Sequence, residues 1–510
     1  MTTSNICILI SIVAYLLFVI GIGVVYSRKN KTTDDFYLGG RTLGPFVTAM
    51  SAEASDMSSW LLMGLPGVAY ATGLADAFWT AIGLAIGTYV NWLIVAKRLR
   101  KYTVKCNNST TIPVFFSNRY RDDKKILSVI AAVVIIIFFV PYTASGFAAC
   151  GKLFASLFGM DYFTAMVISA IVIVGYTALG GFLAASTSDF MQSIIMTMAI
   201  FIVLGYGVVT AGGFDAVMTN AQGLAGYFSL TQIHDPATGT AGAYGVITIF
   251  SMLAWGLGYF GMPHVLLRFM AIEDPNKLKL SRRIATIWVF ISLGVAIFIG
   301  IVGNAMSKVG VIPSLEDPET IIIAISTVIS QHGIVPALIA GLILAGILAA
   351  TMSTADSQLL AASSSASQNI LKEVFLKDLS DKAAMVIARV TVVIISIIAV
   401  FIAKNPDSSV FDIVSFAWAG FGAAFGPVML LALFWKRSNK WGALTGMFTG
   451  GAMVFIWKFL VKPMGGAWNI YELLPAFLVA LAVNVVVSMA TPAPTQDMVD
   501  EFEAVKAECK

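Results

Sequence analysis

Apolar stretches of about twenty residues or more recur along the whole chain, and short polar clusters separate them. An α-helix needs about 20 apolar residues to cross a hydrocarbon core of roughly 30 Å. Each stretch, taken between its breaking residues, therefore predicts one membrane-spanning helix. The thirteen predicted spans are 6–27, 44–71, 75–98, 126–156, 160–184, 188–211, 243–270, 281–307, 332–367, 384–403, 409–435, 441–461 and 472–490. The pattern predicts an all-α integral membrane protein.

Two of these spans carry small and polar residues where an unbroken membrane helix would be apolar. The second span contains SAEASDMSS at 51–59, and the seventh contains WGLGYFGMP at 255–263. Both segments predict helices that are broken near the middle of the membrane, as in transporters built from inverted repeats. Because the broken spans are five apart, an odd number, they predict two five-helix units of opposite orientation, a five-plus-five inverted repeat.

This repeat divides the chain into six predicted regions. They are a flanking helix with a cytoplasmic loop at 1–43, a first repeat unit at 44–211, an extracellular loop at 212–242, a second repeat unit at 243–435, two flanking helices at 436–490 and a cytoplasmic tail at 491–510. Cytoplasmic loops carry an excess of lysine and arginine. Of the 32 lysine and arginine residues, only five lie on the predicted external side, namely Lys152, Lys308, Lys404, Lys458 and Lys462. The N-terminus is thus predicted outside and the C-terminus inside.

Composition and charge exclude other classes of protein. The 510-residue chain is 58% hydrophobic and 12% charged, with a mean hydropathy of +0.86, which rules out a water-soluble fold. The basic cytoplasmic loops account for the net charge of +4, so no nucleic-acid partner is expected. The four cysteines lack the spacing of a metal cluster or a disulfide framework.

Asp56 lies within the polar segment of the second span. A carboxylate near the bilayer centre costs about 2.5 to 3.5 kcal/mol on insertion scales, so this side chain needs a partner or a function. One interpretation is a structural hydrogen bond to backbone amides that the break leaves free. The favoured interpretation is a sodium site, because a broken helix also frees carbonyl groups that coordinate Na⁺.

Hydroxyl groups of the ninth span offer further cation ligands. Ser353, Thr354 and Ser357 lie within one turn of a helix, although such residues often bond to their own backbone. For two other polar residues, the sequence leaves two interpretations of their role open. Asp189, at the start of the sixth span, is either part of a helix N-cap or part of an ion site. Arg41 is either an interfacial anchor or a functional residue.

Several long motifs resemble the sodium/solute symporter family, and within it the bacterial sodium/proline symporters. They follow one another in order along nearly the whole chain. The motifs are YLGGRTLGP at 37–45, ASDMS at 54–58, the segment 60–67, WGLGYFG at 255–261 with the following Pro263 and His264, residues 349–360 around MST, and AWAGFGAAFGP at 417–427.

This resemblance implies a leucine-transporter-like fold and import of L-proline by symport with sodium, by alternating access. The implied sodium ligands are Ala54, Met57, Ala350, Ser353 and Thr354. The implied substrate contacts are Ser58, Ser59, Tyr142, Trp255, Tyr259 and Pro263. The residues that match positions tied to coupling are Asp56, Arg41 and Asp189. Sodium is the expected coupling ion, and the expected location is the bacterial cytoplasmic membrane. The resemblance implies no enzymatic activity, no other cofactor and no obligate protein partner.

Two acidic residues depart from the family pattern. Glu53 and Asp356 stand where small or hydroxyl residues are expected. Additional carboxylates near the ion path leave the number of ions and the solute open, unless they are paired or protonated. The alternative function is therefore sodium symport of another amino acid, a carboxylate or a sugar acid, and a membrane sensor is a remote second alternative.

Overall fold

The chain is almost entirely helical in a computed structural model that describes residues 2–27, 33–375 and 380–509. The α-helices are α1 Thr3–Ser27, α2 Thr33–Leu38, α3 Pro45–Ser59, α4 Leu65–Thr72, α5 Leu74–Val90, α6 Ala96–Lys105, α7 Ile112–Arg119, α8 Ile126–Phe158, α9 Tyr162–Thr210, α10 Phe214–Gly223, α11 Val246–Leu253, α12 Pro263–Ala271, α13 Leu278–Lys308, α14 Ile321–Ser330, α15 Ile334–Ser364, α16 Asp381–Ile402, α17 Val410–Phe434, α18 Lys440–Ile456, α19 Leu473–Ala490 and α20 Gln496–Cys509.

Short 3₁₀ and π turns extend or join several of these helices. The longer ones are the π turns Trp60–Gly64, Asn91–Val95, Ser365–Phe375 and Trp457–Val461, and the 3₁₀ segment Ala254–Phe260. Three-residue 3₁₀ turns are Gly39–Arg41, Pro275–Lys277, Pro318–Thr320, Lys462–Met464 and Gly466–Trp468. Two short antiparallel strands, β1 Gln232–His234 and β2 Ala241–Ala243, form a hairpin in the loop predicted to be extracellular.

Every predicted span coincides with a helical segment. Within the described residues, ten helices are individually long and apolar enough to cross a membrane, or eleven if one bent pair is taken as a single span. The segment Tyr162–Ala178 is apolar but shorter than the rest, and the span at 44–71 is divided among α3, a π turn and α4. The prediction of a multi-helix membrane protein is confirmed, whereas the number thirteen stays a prediction.

Both predicted helix breaks are present. Ser58 interrupts α3 with φ 44° and ψ −170°, a backbone conformation that L-residues rarely adopt. In the seventh span, α11 passes into the 3₁₀ segment and then into α12, with a bend of 44° between the two parts. A third break falls inside α9 at Gly181, with φ 67°. The sequence predicts this boundary between spans a few residues later in the chain. These breaks free backbone groups inside the protein, where side chains can satisfy them.

Glycine allows the broken seventh span to approach α5 at backbone distance. A Cβ atom at Gly256 would lie 2.2 Å from the carbonyl oxygen of Gly83, and one at Gly87 would lie 2.4 Å from the Cα of Gly256. Small residues permit such close helix contacts in membranes. The contact places the polar end of α5 beside the broken seventh span.

Candidate functional site

Three of the five sodium-ligand candidates meet between α3 and α15. The Ser353 hydroxyl lies 2.8 Å from the Ala54 carbonyl oxygen and 3.0 Å from the Ala350 carbonyl oxygen. The first contact crosses from one helix to the other, and the second is the bond to its own helix that serine commonly makes. Thr354, one residue later, is buried, and its hydroxyl has no hydrogen-bond partner among the described residues. Met57 is also buried, at the broken end of α3.

These groups are oxygen ligands, the kind that hard cations such as Na⁺ prefer. Because the Ser353 hydroxyl joins a carbonyl of α3 to one of α15, a cation bound there would hold the two helices together. The arrangement can therefore couple ion binding to the relative position of the two helices.

Asp56 connects the two broken spans. Its Oδ2 accepts a hydrogen bond of 2.5 Å from the Tyr259 hydroxyl, and its backbone carbonyl accepts one of 3.1 Å from the Tyr142 hydroxyl. Its Oδ1 has no partner among the described residues. Asp56 thus bonds through its carboxylate to the 3₁₀ segment of the seventh span and through its backbone to α8. The proposed structural role, a bond from its carboxylate to free backbone amides, is not what the structure shows.

An aromatic cluster surrounds Trp255. Its ring centroid lies 5.5 Å from that of Trp60, 5.4 Å from that of Phe411 and 5.0 Å from that of Tyr471. Its backbone carbonyl accepts a hydrogen bond of 2.8 Å from the indole nitrogen of Trp418. Of these rings only Trp255 is among the substrate contacts that the resemblance implies, and the others come from spans that are distant along the chain.

The remaining substrate candidates divide between two places. Ser58 and Ser59 lie at the break of α3, where the Ser58 hydroxyl accepts a bond of 3.1 Å from the Trp60 amide. The Ser59 hydroxyl is buried without a partner among the described residues. Pro263 begins α12 and lines a cavity of about 30 Å³ beside Arg268, which has room for about one water molecule.

Arg268 forms the centre of a buried polar network that the sequence alone does not predict. Its guanidinium donates to Asp189 Oδ2 at 3.1 Å, to the Ser51 hydroxyl at 3.0 Å and to the Ser357 hydroxyl at 2.5 Å. Ser51 also donates to Asp189 at 2.7 Å. Asp356 joins the network through the Ser357 hydroxyl, 3.2 Å from its Oδ1. The network links the second, sixth, seventh and ninth predicted spans.

This network corrects one interpretation and locates one departure. Asp189 lies inside α9, eight residues after its break, so the helix N-cap interpretation is wrong. Asp356 is joined to the network by the Ser357 hydroxyl and lies near both Asp189 and Arg268. A signal for Arg268 existed in the sequence, since a guanidinium inside an apolar span is costly and calls for a partner.

Arg41 lies apart from these groups, at the end of α12 and the turn that follows α6. Its guanidinium donates to the Met270 carbonyl at 2.7 Å, the Ser109 carbonyl at 2.8 Å and the Thr103 hydroxyl at 3.3 Å. Arg41 therefore ties the loop before α3 to two elements at the predicted cytoplasmic face. Its contacts exceed those of a simple interfacial anchor.

At the opposite end of the bundle, Glu319 joins several elements, and the sequence alone does not predict these contacts. Its carboxylate accepts bonds from the backbone amides of Val410 and Phe411, both at 3.0 Å, and pairs with Lys152 at 2.7 Å. Helix N-termini favour negative charge because their first amides lack partners. Phe411 packs its ring 5.8 Å from Trp60, so this contact closes the aromatic cluster on that side.

Solved structures with a similar arrangement define the fold. A substrate-bound, outward-open Na⁺-coupled sialic acid symporter superposes with a TM-score of 0.78 at 18% identity, over 96% of this chain and 99% of that one. Mhp1, a nucleobase-cation-symport-1 family transporter in a closed conformation, superposes with a TM-score of 0.54 at 13% identity, over 93% and 99%. The chain thus has the leucine-transporter-like fold with its five-plus-five inverted repeat, as predicted.

Sequence comparison gives the family. The model of the sodium:solute symporter family matches residues 36–450. The osmoregulated proline transporter OpuE of Bacillus subtilis is 41% identical over 490 residues, which are 96% of each chain. The high-affinity proline transporter PutP of the same organism is 43% identical over 482 residues, which are 94% of this chain and 98% of that one. Sodium/proline symporter 2 of Staphylococcus saprophyticus is 39% identical over 504 residues, 98% and 95%. The chain belongs to the sodium:solute symporter family, which consists of transporters rather than enzymes.

Proposed function

We propose that the protein imports L-proline together with Na⁺ by alternating access. Three relatives that are 39 to 43% identical along almost their full length carry proline in their names. The structural observation that supports the mechanism most directly is the Ser353 hydroxyl, 2.8 Å from the Ala54 carbonyl on the other helix. Sodium bound at this contact would stabilise one arrangement of the bundle, and a ligand shifts an equilibrium only through such a difference in affinity.

We assign sodium to the oxygens between α3 and α15. The ligands would be the backbone carbonyls of Ala54, Met57 and Ala350 and the hydroxyls of Ser353 and Thr354. The unpartnered Thr354 hydroxyl fits this role, because a buried hydroxyl without a hydrogen bond is costly unless a ligand satisfies it.

Proline would bind beside the two breaks. The aromatic wall at Trp255 suits the pyrrolidine ring, and Ser58, Ser59, Tyr142 and Tyr259 offer hydroxyls to its polar groups. The partial positive charge of a broken-helix N-terminus suits the carboxylate. Pro263, which starts α12, would shape the cytoplasmic side of this pocket.

Three charged residues would couple the ion to the solute. Asp56 bonds to Tyr259, a substrate candidate, and lies two residues from Ala54, a sodium candidate. Asp189 and Arg41 would act through the buried Arg268 network and the cytoplasmic loop contacts, respectively. Because both ligands must favour the occluded state, loss of any linking contact should loosen the coupling.

The energetics permit concentrative uptake. Moving one positive charge inward across about 100 mV releases about 2.3 kcal/mol. A tenfold sodium gradient adds about 1.4 kcal/mol. We further propose a location in the bacterial cytoplasmic membrane, with the N-terminus outside and the C-terminus in the cytoplasm.

Uptake of radiolabelled proline into proteoliposomes tests the proposal. We expect proline to accumulate when an inward sodium gradient is imposed, and not when potassium or choline replaces sodium. Competition by excess unlabelled amino acids, carboxylates and sugar acids identifies the solute class. Uptake that ignores sodium would refute the coupling, and efficient competition by a different solute with no proline uptake would refute the cargo.

Ser353→Ala tests the assigned sodium site. We expect the sodium concentration for half-maximal proline uptake to rise about tenfold, which corresponds to the loss of about 1.4 kcal/mol of binding free energy. The maximal rate at saturating sodium should change much less. Ser169→Ala is the matched control, since in the described part of the chain that buried serine bonds only to the carbonyl of Ala165 in its own helix. An unchanged sodium dependence in Ser353→Ala would remove this hydroxyl from the site.

A further inference from the structure

Four buried oxygen atoms between α3, the end of α5 and the following π turn have no hydrogen-bond partner among the described residues. They are Glu53 Oε2, Asp56 Oδ1, Thr88 Oγ1 and Asn91 Oδ1. All four side chains are at most 5% exposed. A buried polar atom without a partner costs about 1 to 3 kcal/mol, and more when it is charged. Four such atoms in neighbouring side chains offer a set of acceptors to a bound ligand.

Hydrogen bonds already bring these side chains together around Tyr259 and Trp92. The Trp92 indole donates to Glu53 Oε1 at 2.9 Å, and the Asn91 amide nitrogen donates to the Tyr259 carbonyl at 3.1 Å. The Tyr259 hydroxyl donates to Asp56 Oδ2 at 2.5 Å. Each of these bonds leaves one oxygen of Glu53, Asn91 or Asp56 without a partner among the described residues.

Helix geometry aligns the same residues. Glu53 and Asp56 are three residues apart on α3, and Thr88 and Asn91 are three residues apart at the end of α5, so each pair shares one helix face. The close glycine contact between α5 and the seventh span fixes the second pair beside Tyr259. The Thr88 side chain adjoins the Tyr259 hydroxyl.

Charge is the second unusual feature of this place. No lysine or arginine in the described part of the chain forms an ion pair with Glu53 or Asp56, and Arg268 bonds instead to Asp189, Ser51 and Ser357. Carboxylate and amide oxygens only accept hydrogen bonds, so they cannot satisfy one another. The Trp92 indole needs only a neutral acceptor, so this contact alone does not explain an acid at position 53.

We propose that Glu53, Asp56, Thr88 and Asn91 form a second sodium site, separate from the oxygens between α3 and α15. Its carboxylate, amide and hydroxyl oxygens are ligands of hard cations. Among the described residues no three His, Cys, Asp or Glu side chains converge, which argues against a transition-metal site. Two Na⁺ ions would then balance two carboxylates. The inference rests on the proposed sodium coupling and specifies its stoichiometry.

Binding of ²²Na⁺ to the purified protein in detergent, without proline, tests the second site. We expect saturated wild-type protein to bind one more Na⁺ per chain than Glu53→Gln. The matched control is Glu273→Gln, an exposed acid that pairs with Lys277 outside the bundle and should keep the wild-type value. Equal binding by wild type and Glu53→Gln would overturn the inference. Equal sodium binding together with proline-driven proton uptake that occurs only in the wild type would also overturn it, because the Glu53 carboxylate would then bind a proton instead of sodium.

A second variant keeps the charge and removes a ligand. Asn91→Ala should raise the half-saturating concentration of the affected sodium by about tenfold while leaving the Glu53 carboxyl group in place. An unchanged value would contradict the assignment of Asn91. Gel filtration and thermal unfolding of both variants distinguish a lost site from a lost fold. Because sodium binding is measured without a solute, its result is independent of the cargo: a chain that binds the additional ion but carries no proline would refute the proposed function alone.

Discussion

Asp56→Asn is expected to abolish sodium-driven proline uptake while the protein still inserts and folds. The substitution keeps the size of the side chain and can keep a hydrogen bond to Tyr259, which now donates to an amide oxygen. It removes the negative charge that would offset the desolvation of Na⁺ at the neighbouring carbonyls of the proposed site. Loss of an interaction worth roughly 3 kcal/mol, the scale of hydrogen bonds to charged groups, corresponds to a reduction of about 100-fold. Initial uptake rates in proteoliposomes measure the effect.

Asp215→Asn is the matched control for this experiment. Asp215 lies in the first turn of α10, exposed and outside the bundle, so its amide variant should transport proline at the wild-type rate. Protein yield and the melting temperature in detergent show whether each variant is folded. Wild-type sodium dependence in Asp56→Asn would exclude this carboxylate from coupling and leave it a structural link between the two broken spans.

The sequence predicts the fold well because the signals involved are local. A span is recognised from its own apolar length, and a broken span from small and polar residues within a few positions, as at Ser58 and in the segment 254–260. Their separation along the chain then implies the repeat. The break at Gly181 is placed less well, because a single glycine in an apolar run carries little information about whether the helix ends there.

The candidate site is predicted less completely because its contacts are not local. The motifs identify Ala54 and Ser353, which the fold brings together although they are 299 residues apart. They do not reveal that Arg268 faces Asp189, because nothing in either segment indicates the other. Asp356, an acid that looks out of place in the sequence alone, is joined to the same network through the Ser357 hydroxyl.

The two carboxylate pairs consequently differ in kind. Asp189 pairs with a fixed cation, the guanidinium of Arg268, and Asp356 is joined to the same network through Ser357, whereas Glu53 and Asp56 have no basic side chain in ion-pair contact among the described residues. A resident guanidinium cannot leave during a transport cycle, but a sodium ion can. The Arg268 network is therefore expected to stabilise the bundle and to hold Asp189 in place for its proposed part in coupling, while the Glu53 and Asp56 pair is expected to respond to sodium concentration.

Arg268→Gln should have the largest effect on stability of any single substitution in this network. The change leaves Asp189 buried without its cation and removes the guanidinium donors to Ser51 and Ser357. Removing one partner of a buried pair typically costs about 3 to 5 kcal/mol. We expect a markedly lower melting temperature in detergent and a low yield of monodisperse protein. Arg121→Gln is the matched control, since Arg121 forms partly exposed pairs with Asp497 and Glu501, whose loss should cost about 1 kcal/mol or less.

A double variant separates the charge effect from simple loss of packing. Arg268→Gln combined with Asp189→Asn has the same formal charge in the network as the wild type, because one positive and one negative group are removed together. The double variant should therefore be more stable than Arg268→Gln alone, as a coupled pair in a double-mutant cycle requires. If the two substitutions were instead additive, the guanidinium would act through its packing and its bonds to hydroxyls, and the ion pair at 3.1 Å would contribute little to the folded state.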